Sequence, residues 1–86
     1  MAKAKMALTE KQYYSLPYEG QELHDYWMEW NPSLYNQAVK DGDLYQLLES
    51  KGQQMQDEID SLMQQGLQVN EAREIVWEEI YSSYQG

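Results

Sequence analysis

The chain has 86 residues, 42% of them hydrophobic, and a formal net charge of −9. That length makes one small domain with a modest core, and the lack of cysteine removes disulfides, thiolate metal sites and thiol catalysis. From Gln12 onward only Lys40, Lys51 and Arg73 stand against the 14 carboxylates left once Glu10 is set aside, a net −11, which argues against direct nucleic-acid binding and suits basic partners or plain solubility.

No apolar run approaches the ~18–20 residues needed to span a bilayer. The opening MAKAKMALTEKQYY carries lysines but no apolar h-region, so it does not read as a secretory signal; Met6 reads as a second natural start. A soluble, cytoplasmic protein is the expectation. The apolar inventory is uneven, with no Phe but three Trp, eight Tyr and five Met. Tyr and Trp carry polar tips, so they belong near a surface or at a binding face.

Residues 1–12 read as a flexible tail and 13–86 as a single helical domain. Leu8 to Gln12 has the makings of a turn. Tyr13, Tyr14, Leu16 and Tyr18 surround Pro17, which disfavours helix at the residue before it, so this stretch is expected as an extended arm laying aromatics on the helical body. A first helix is expected from Gln21 to Trp30, with Leu23, Tyr26, Trp27 and Trp30 on one apolar face. Glu22, Asp25 and Glu29 form a neighbouring acidic stripe. Asn31-Pro32 is a cap followed by a proline at the first helical position. It opens a second helix, Pro32 to Lys40, with Leu34, Tyr35, Ala38 and Val39 inward, closed at Asp41-Gly42.

Asp43 and Gln46 have capping-box spacing ahead of a long helix, Leu44 to Gln65. Gly52 in its middle is a weak point for a helix, where a bend would fall. Gly66 suits the left-handed residue after the helix. Asn70 is placed to cap a last helix, Glu71 to Tyr84. Its core face is Ala72, Ile75, Val76 and Ile80, its aromatic stripe Trp77, Tyr81 and Tyr84, and its acidic stripe Glu71, Glu74 and Glu78. No strand pattern competes. The fold class is all-α: a small four-helix domain, a short helical hairpin then a longer one, with an extended N-terminal arm.

No catalytic residue, metal ligand set or cofactor is expected. His24 has Glu22 and Asp25 near it in sequence, but helix neighbours one or two residues apart do not face each other, so His24 reads as a packing residue. The paired carboxylates lack the Glu-x-x-His motifs of di-iron bundles and the glycine-centred calcium loop. No phosphate-cradling glycine loop or nucleophile elbow is present. What remains is acidic stripes beside aromatics. Carboxylates at helical spacing recur about every 5–6 Å, of the same order as phosphates along a strand.

Gly20, Leu23, His24, Tyr26 or Trp27, Tyr35, Gly42 and Leu44, with the closing Ala72-Arg73-Glu74-Ile75-Val76-Trp77-Glu78-Glu79-Ile80, together resemble the transposon-encoded TnpV family. Its members show a G-x-L-H-x-x-Y-L pattern and end in A-R-E-I-V-x-E-E-I. The likeness covers Gly20 to Tyr81. The chain departs from the pattern in a much shorter connector between the last two helices and in one extra residue between Gly20 and Leu23. The resemblance implies a mobile-element or phage setting in a bacterial host cell, and no defining activity. Acidic proteins of this size on mobile elements are often inhibitors of host defence, anti-CRISPR proteins among them, which is an argument by analogy.

The functional expectation is thus a non-enzymatic acidic protein that binds and inhibits a basic, nucleic-acid-handling protein. The contacting residues would be Glu22, Asp25, Glu29, Glu71, Glu74 and Glu78. Trp27, Trp30, Trp77 and Tyr81 would be aromatic anchors or the core beneath. The alternative is an accessory subunit that forms a homodimer or larger assembly through its Tyr and Trp surface.

Overall fold

The structure, a computed structural model, describes residues 6–83. Among the described residues there are five helices and no strand: α1 (Glu10–Ser15), α2 (Tyr18–Trp30), α3 (Pro32–Asp41), α4 (Leu44–Gln64) and α5 (Val69–Ser83). The all-α expectation holds. The chain falls into two compact units, one running to Gln53 and the other starting at Gln54, so the division lies inside α4.

In the first unit, the segment expected as an extended arm contains a helix. Thr9 caps α1 with a full capping box: the Gln12 N–H donates to Thr9 Oγ1 (3.1 Å) and the Thr9 N–H donates to Gln12 Oε1 (3.0 Å). Pro17 does end it, holding Leu16 extended at φ −70°, ψ 150°. But Pro17 also starts α2 three residues earlier than expected, because its fixed φ suits the residue just before a helix and its carbonyl accepts from the Gln21 N–H (3.0 Å). Leu8 and Leu16, flanking α1, are both buried.

The buried face of α2 is Glu19, Gly20, Leu23, His24 and Trp27. It is rotated from the expected face, since Tyr26 is only half-buried and Trp30 is 70% exposed. The cause lies in α4. Its buried positions are Leu44, Leu48, Gly52, Met55 and Ile59, one stripe along the helix. Gly52 does not break α4; the backbone of α2 lies directly against it. A Cβ built on Gly52 would lie 2.6 Å from Gly20 Cα and 2.7 Å from Gly20 N. Two glycines therefore let two backbones touch, and that contact sets the rotation of α2.

Between them, α3 packs on α2. Asn31 ends α2 and precedes Pro32 at the first turn of α3, as expected, although its side chain makes no capping bond. Tyr35 and Ala38 are buried, whereas Val39 is exposed. Gly42 closes α3 at φ 77°, a conformation that costs a side-chain-bearing residue about 1 kcal/mol or more. The following Asp43 N–H donates back to the Ala38 carbonyl (3.2 Å).

In the second unit, α4 ends as expected at a left-handed glycine, Gly66 (φ 108°). Its last carbonyls are met by the Gly66 N–H on Met63 (3.0 Å) and the Leu67 N–H on Leu62 (3.2 Å). Then α5 begins ahead of Asn70, which is not its cap. Gln68 takes that place: its carbonyl accepts from the Ala72 N–H (2.9 Å) and its N–H donates to Glu71 Oε1 (3.0 Å). Buried on α5 are Ala72, Val76 and Trp77. Ile75, expected inside, is exposed, and Trp77, expected in a separate stripe, is in the core and stacks obliquely on Tyr81 with ring centres 5.8 Å apart. Tyr84 lies outside the described residues.

Candidate functional site

The α2 surface opposite the core carries Tyr18, Glu22, Asp25 and Glu29 at i, i+4, i+7 and i+11. At about 100° per residue these four fall within about 60° of one another around the helix. Tyr18, Asp25 and Glu29 are exposed and Glu22 is half-buried. Tyr18 Oη donates to Glu22 Oε1 over 3.4 Å, and Trp30 and Tyr14 are 70% and 69% exposed.

Asp25 is the hub of this face. Tyr13, from α1, donates its hydroxyl to both carboxylate oxygens, at 3.2 Å and 3.0 Å. His24 Nδ1 lies 3.0 Å from Asp25 Oδ1. The adjacent carboxylate therefore does reach the imidazole, against the sequence expectation. The contact runs between the side chains of adjacent residues, a local route that the spacing rule for helix faces does not cover.

His24 is fully buried, and its Nε2 lies 2.9 Å from Tyr35 Oη, which accepts from the Ala7 N–H at 2.9 Å. The direction of this chain follows from donor capacity. An ionised carboxylate only accepts, so Nδ1 carries the hydrogen. In the Nδ1–H tautomer, Nε2 accepts the Tyr35 hydroxyl hydrogen while the Tyr35 oxygen accepts from the Ala7 N–H. Tyr13 and Tyr35 each meet the imidazole edge-on, with ring centres 5.2 Å away. Burial and the Asp25 hydrogen bond and charge push the Tyr13 hydroxyl up to about 12; burial raises Tyr35 as well, against the opposing Ala7 N–H. Both ring nitrogens of His24 are thus engaged inside the protein, in a packing and hydrogen-bonding role.

On α5, Glu71, Glu74 and Glu78 are all exposed, with Glu71 also serving as the N-terminal partner of Gln68. Tyr81 and Ile75 are exposed beside them, and Ile75, Glu78, Glu79 and Ser82 line an open depression. Glu58 of α4 faces Glu79, and its carboxyl is raised by partial burial first, then by the Glu79 charge and hydrogen bond.

Of the aromatic residues expected at a partner surface, Trp30 and Tyr81 are outside. Trp27 (0% exposed) and Trp77 (9%) are in the core. Tyr13 and Tyr14, from α1, and Tyr18, from α2, were expected as an extended arm laid on the helical body, not as part of the partner surface. Tyr18 falls in line with Glu22, Asp25 and Glu29 because Pro17 starts α2 rather than lying in an arm ahead of it. Buried Glu19 also escaped notice, for a carboxylate beside the α2–α4 crossing has no signature in a single sequence.

Among the described residues, no group of three or more His, Cys, Asp or Glu side chains is placed to hold a metal ion, and no helix is long and apolar enough to cross a membrane. No protein-family model, curated protein or solved structure matches the chain.

Proposed function

We propose that this is a non-enzymatic acidic interaction protein that binds and inhibits a basic, nucleic-acid-handling protein by offering carboxylates where nucleic acid would offer phosphates. The observation that supports this reading is the outward stripe Glu22, Asp25 and Glu29, with Tyr18 in line and Trp30 exposed at the end of the helix. Carboxylates spaced by one helical turn give a row of acceptors about 5–6 Å apart. Exposed indole and phenol rings add area that becomes dry on binding, and a guanidinium can stack on them. The exposed Glu71, Glu74 and Glu78 of α5, with Tyr81, are a second surface of the same chemistry. The net charge of −9 steers cationic partners in.

On the TnpV resemblance, we place the protein in the cytoplasm of a bacterial host, carried by a mobile element or phage, with an anti-CRISPR or similar anti-defence role. The test is retention of host nucleic-acid-binding proteins on the immobilised chain at low and high salt, with a Glu22→Gln, Asp25→Asn, Glu29→Gln variant alongside. The reading requires capture at low salt that weakens as salt rises and weakens in the variant. Equal capture by the variant would remove α2 from the interface.

The second reading, self-association, is favoured by the exposure of Tyr14, Tyr18 and Trp30 together. Light scattering decides it: a monomer at high concentration removes it.

A further inference from the structure

We infer that α1 is a built-in strap that occupies Asp25 and is displaced when a cationic partner binds the α2 stripe. The inference rests on the reading of that stripe as the binding surface.

The stripe is not vacant at its centre. Tyr13 holds both Asp25 oxygens, at 3.2 Å and 3.0 Å, in the position a partner's guanidinium or ammonium would take. The element that carries Tyr13 is lightly held. It is six residues long and none of them is buried. Its side-chain ties outward are the exposed Tyr13–Asp25 pair, an exposed hydroxyl contact between Ser15 Oγ and Tyr45 Oη at 2.9 Å, and the edge-on contact of the Tyr13 ring with His24, 5.2 Å between ring centres. Exposed hydrogen bonds exchange readily for bonds to water, so each shifts an equilibrium by only a few-fold.

The firm attachments lie at either end. Leu8 and Leu16 are buried, and the Ala7 N–H bonds Tyr35. Helix α1 therefore spans two anchors as a strap. Lifting it from Asp25 breaks the two exposed hydrogen bonds and the Tyr13–His24 ring contact but leaves the buried leucines in place. Helix α1 itself holds one acid and one base, Glu10 and Lys11, so it competes for Asp25 through the Tyr13 hydroxyl and not through charge. A cationic partner would replace a neutral phenol with a charged donor, which a carboxylate prefers.

The experiment uses the full chain and fluorescein-labelled octa-arginine as the probe, followed by anisotropy at low salt. Four proteins are compared: wild type, Asp25→Asn, Tyr13→Phe and Ser15→Ala. Asp25→Asn should weaken binding. Tyr13→Phe and Ser15→Ala should each tighten it, by about three- to tenfold, because each removes one tie that binding must break. Ser15→Ala leaves Asp25 and its hydroxyl partner in place, so its gain reports lifting rather than a freed carboxylate. Hydrogen exchange gives an independent readout. The α1 amides, such as the Tyr13 N–H that bonds the Thr9 carbonyl at 2.9 Å, should lose protection when octa-arginine is added. If octa-arginine binds, Asp25→Asn weakens it, and neither strap variant nor α1 exchange responds, the strap is overturned while the stripe survives. If octa-arginine binds none of the proteins, the stripe reading fails and the strap fails with it.

Discussion

Gly52→Ala is the sharpest test of how this fold is held, because two effects of opposite sign meet there. Gly52 lies within α4 and has no positive φ. By helix propensity alone, alanine would stabilise the chain by about 1 kcal/mol. The new methyl, however, would sit 2.6 Å from Gly20 Cα and 2.7 Å from Gly20 N, atoms of a helical backbone that no rotamer change can move. Ordinary carbon contacts are about 3.5–4.0 Å, so α2 and α4 must separate by about 1 Å. Such overpacking costs about 1–3 kcal/mol, and more when backbone is the obstacle. Taking the upper end and subtracting the propensity gain leaves a net loss of about 2 kcal/mol. For a domain of this size each kcal/mol moves the midpoint by about 4–8 °C, so the melting temperature should fall by about 10 °C. Thermal and urea unfolding followed by circular dichroism measure it. A variant as stable as the wild type, or more so, would refute the glycine contact outright. Gly20→Ala meets the Leu48 carbonyl oxygen at 2.9 Å and should also destabilise, and the pair should be less than additive, since helices already forced apart accept the second methyl more easily.

Tyr35→Phe keeps the buried ring but strips the acceptor from Ala7 and the partner from His24 Nε2, leaving a fully buried ring nitrogen unpaired. It should cost about 1–3 kcal/mol in urea unfolding, whereas Tyr45→Phe, which loses an exposed bond, should cost no more than about 1 kcal/mol. Gly42→Ala meets no atom within 4 Å but must adopt φ 77°, so it should lose about 1 kcal/mol, with Gly42→Asn losing less. Tyr13 ionises near 12 in the fold and near 10 when unfolded. Its contribution is complete below pH 10 and is lost as pH rises towards 12, so Tyr13→Phe should flatten the alkaline limb of the stability profile. Glu58 is raised instead of lowered. Its ionised form is the unfavourable one, so Glu58→Gln should stabilise near neutrality by no more than about 0.5 kcal/mol, given its exposure, and the gain should vanish once the wild-type carboxyl is protonated.

The punctuation of this chain was legible because it is local. Asn31-Pro32, Gly42 and Gly66 mark helix ends through the backbone geometry of those residues themselves. The capping pair of Thr9 and Gln12 carried the same kind of signal, and α1 could have been read from it. Rotation about the helix axis was not legible. Tyr26 and Trp30 share an apolar arc with Leu23 and Trp27, and spacing alone does not say which part of a wide arc meets its neighbour. Val39 and Ile75 failed for the same reason: an aliphatic side chain on the edge of a face turns outward when the partner helix approaches from the other edge. Asp25 was legible as part of a stripe, but its partners were not. Tyr13 reaches it from another helix and His24 from the next residue, and neither contact obeys a helical period.

The glycine contact and the acidic stripe are linked by geometry. With Gly20 pressed on Gly52, Leu23, His24 and Trp27 must turn inward, and the residues about half a turn away, Glu22, Asp25 and Glu29, are carried outward. His24 then joins the two sides, since its ring lies in the core while its Nδ1 holds an oxygen of the outward carboxylate. A small clockwise or anticlockwise slip of α2 would bury a carboxylate, at a cost of several kcal/mol without a partner, or withdraw the imidazole from Tyr35. The stripe is therefore fixed to the packing beneath it. In Gly52→Ala, studied below its own melting temperature, the carboxylates are all still present. If charge alone recruits the partner, binding of a basic probe is unchanged; if the fixed row of acceptors is what the partner reads, affinity falls along with stability. The arrangement of His24 between core and stripe predicts the second result, and unchanged affinity in the folded variant would reduce the role of α2 to its charge.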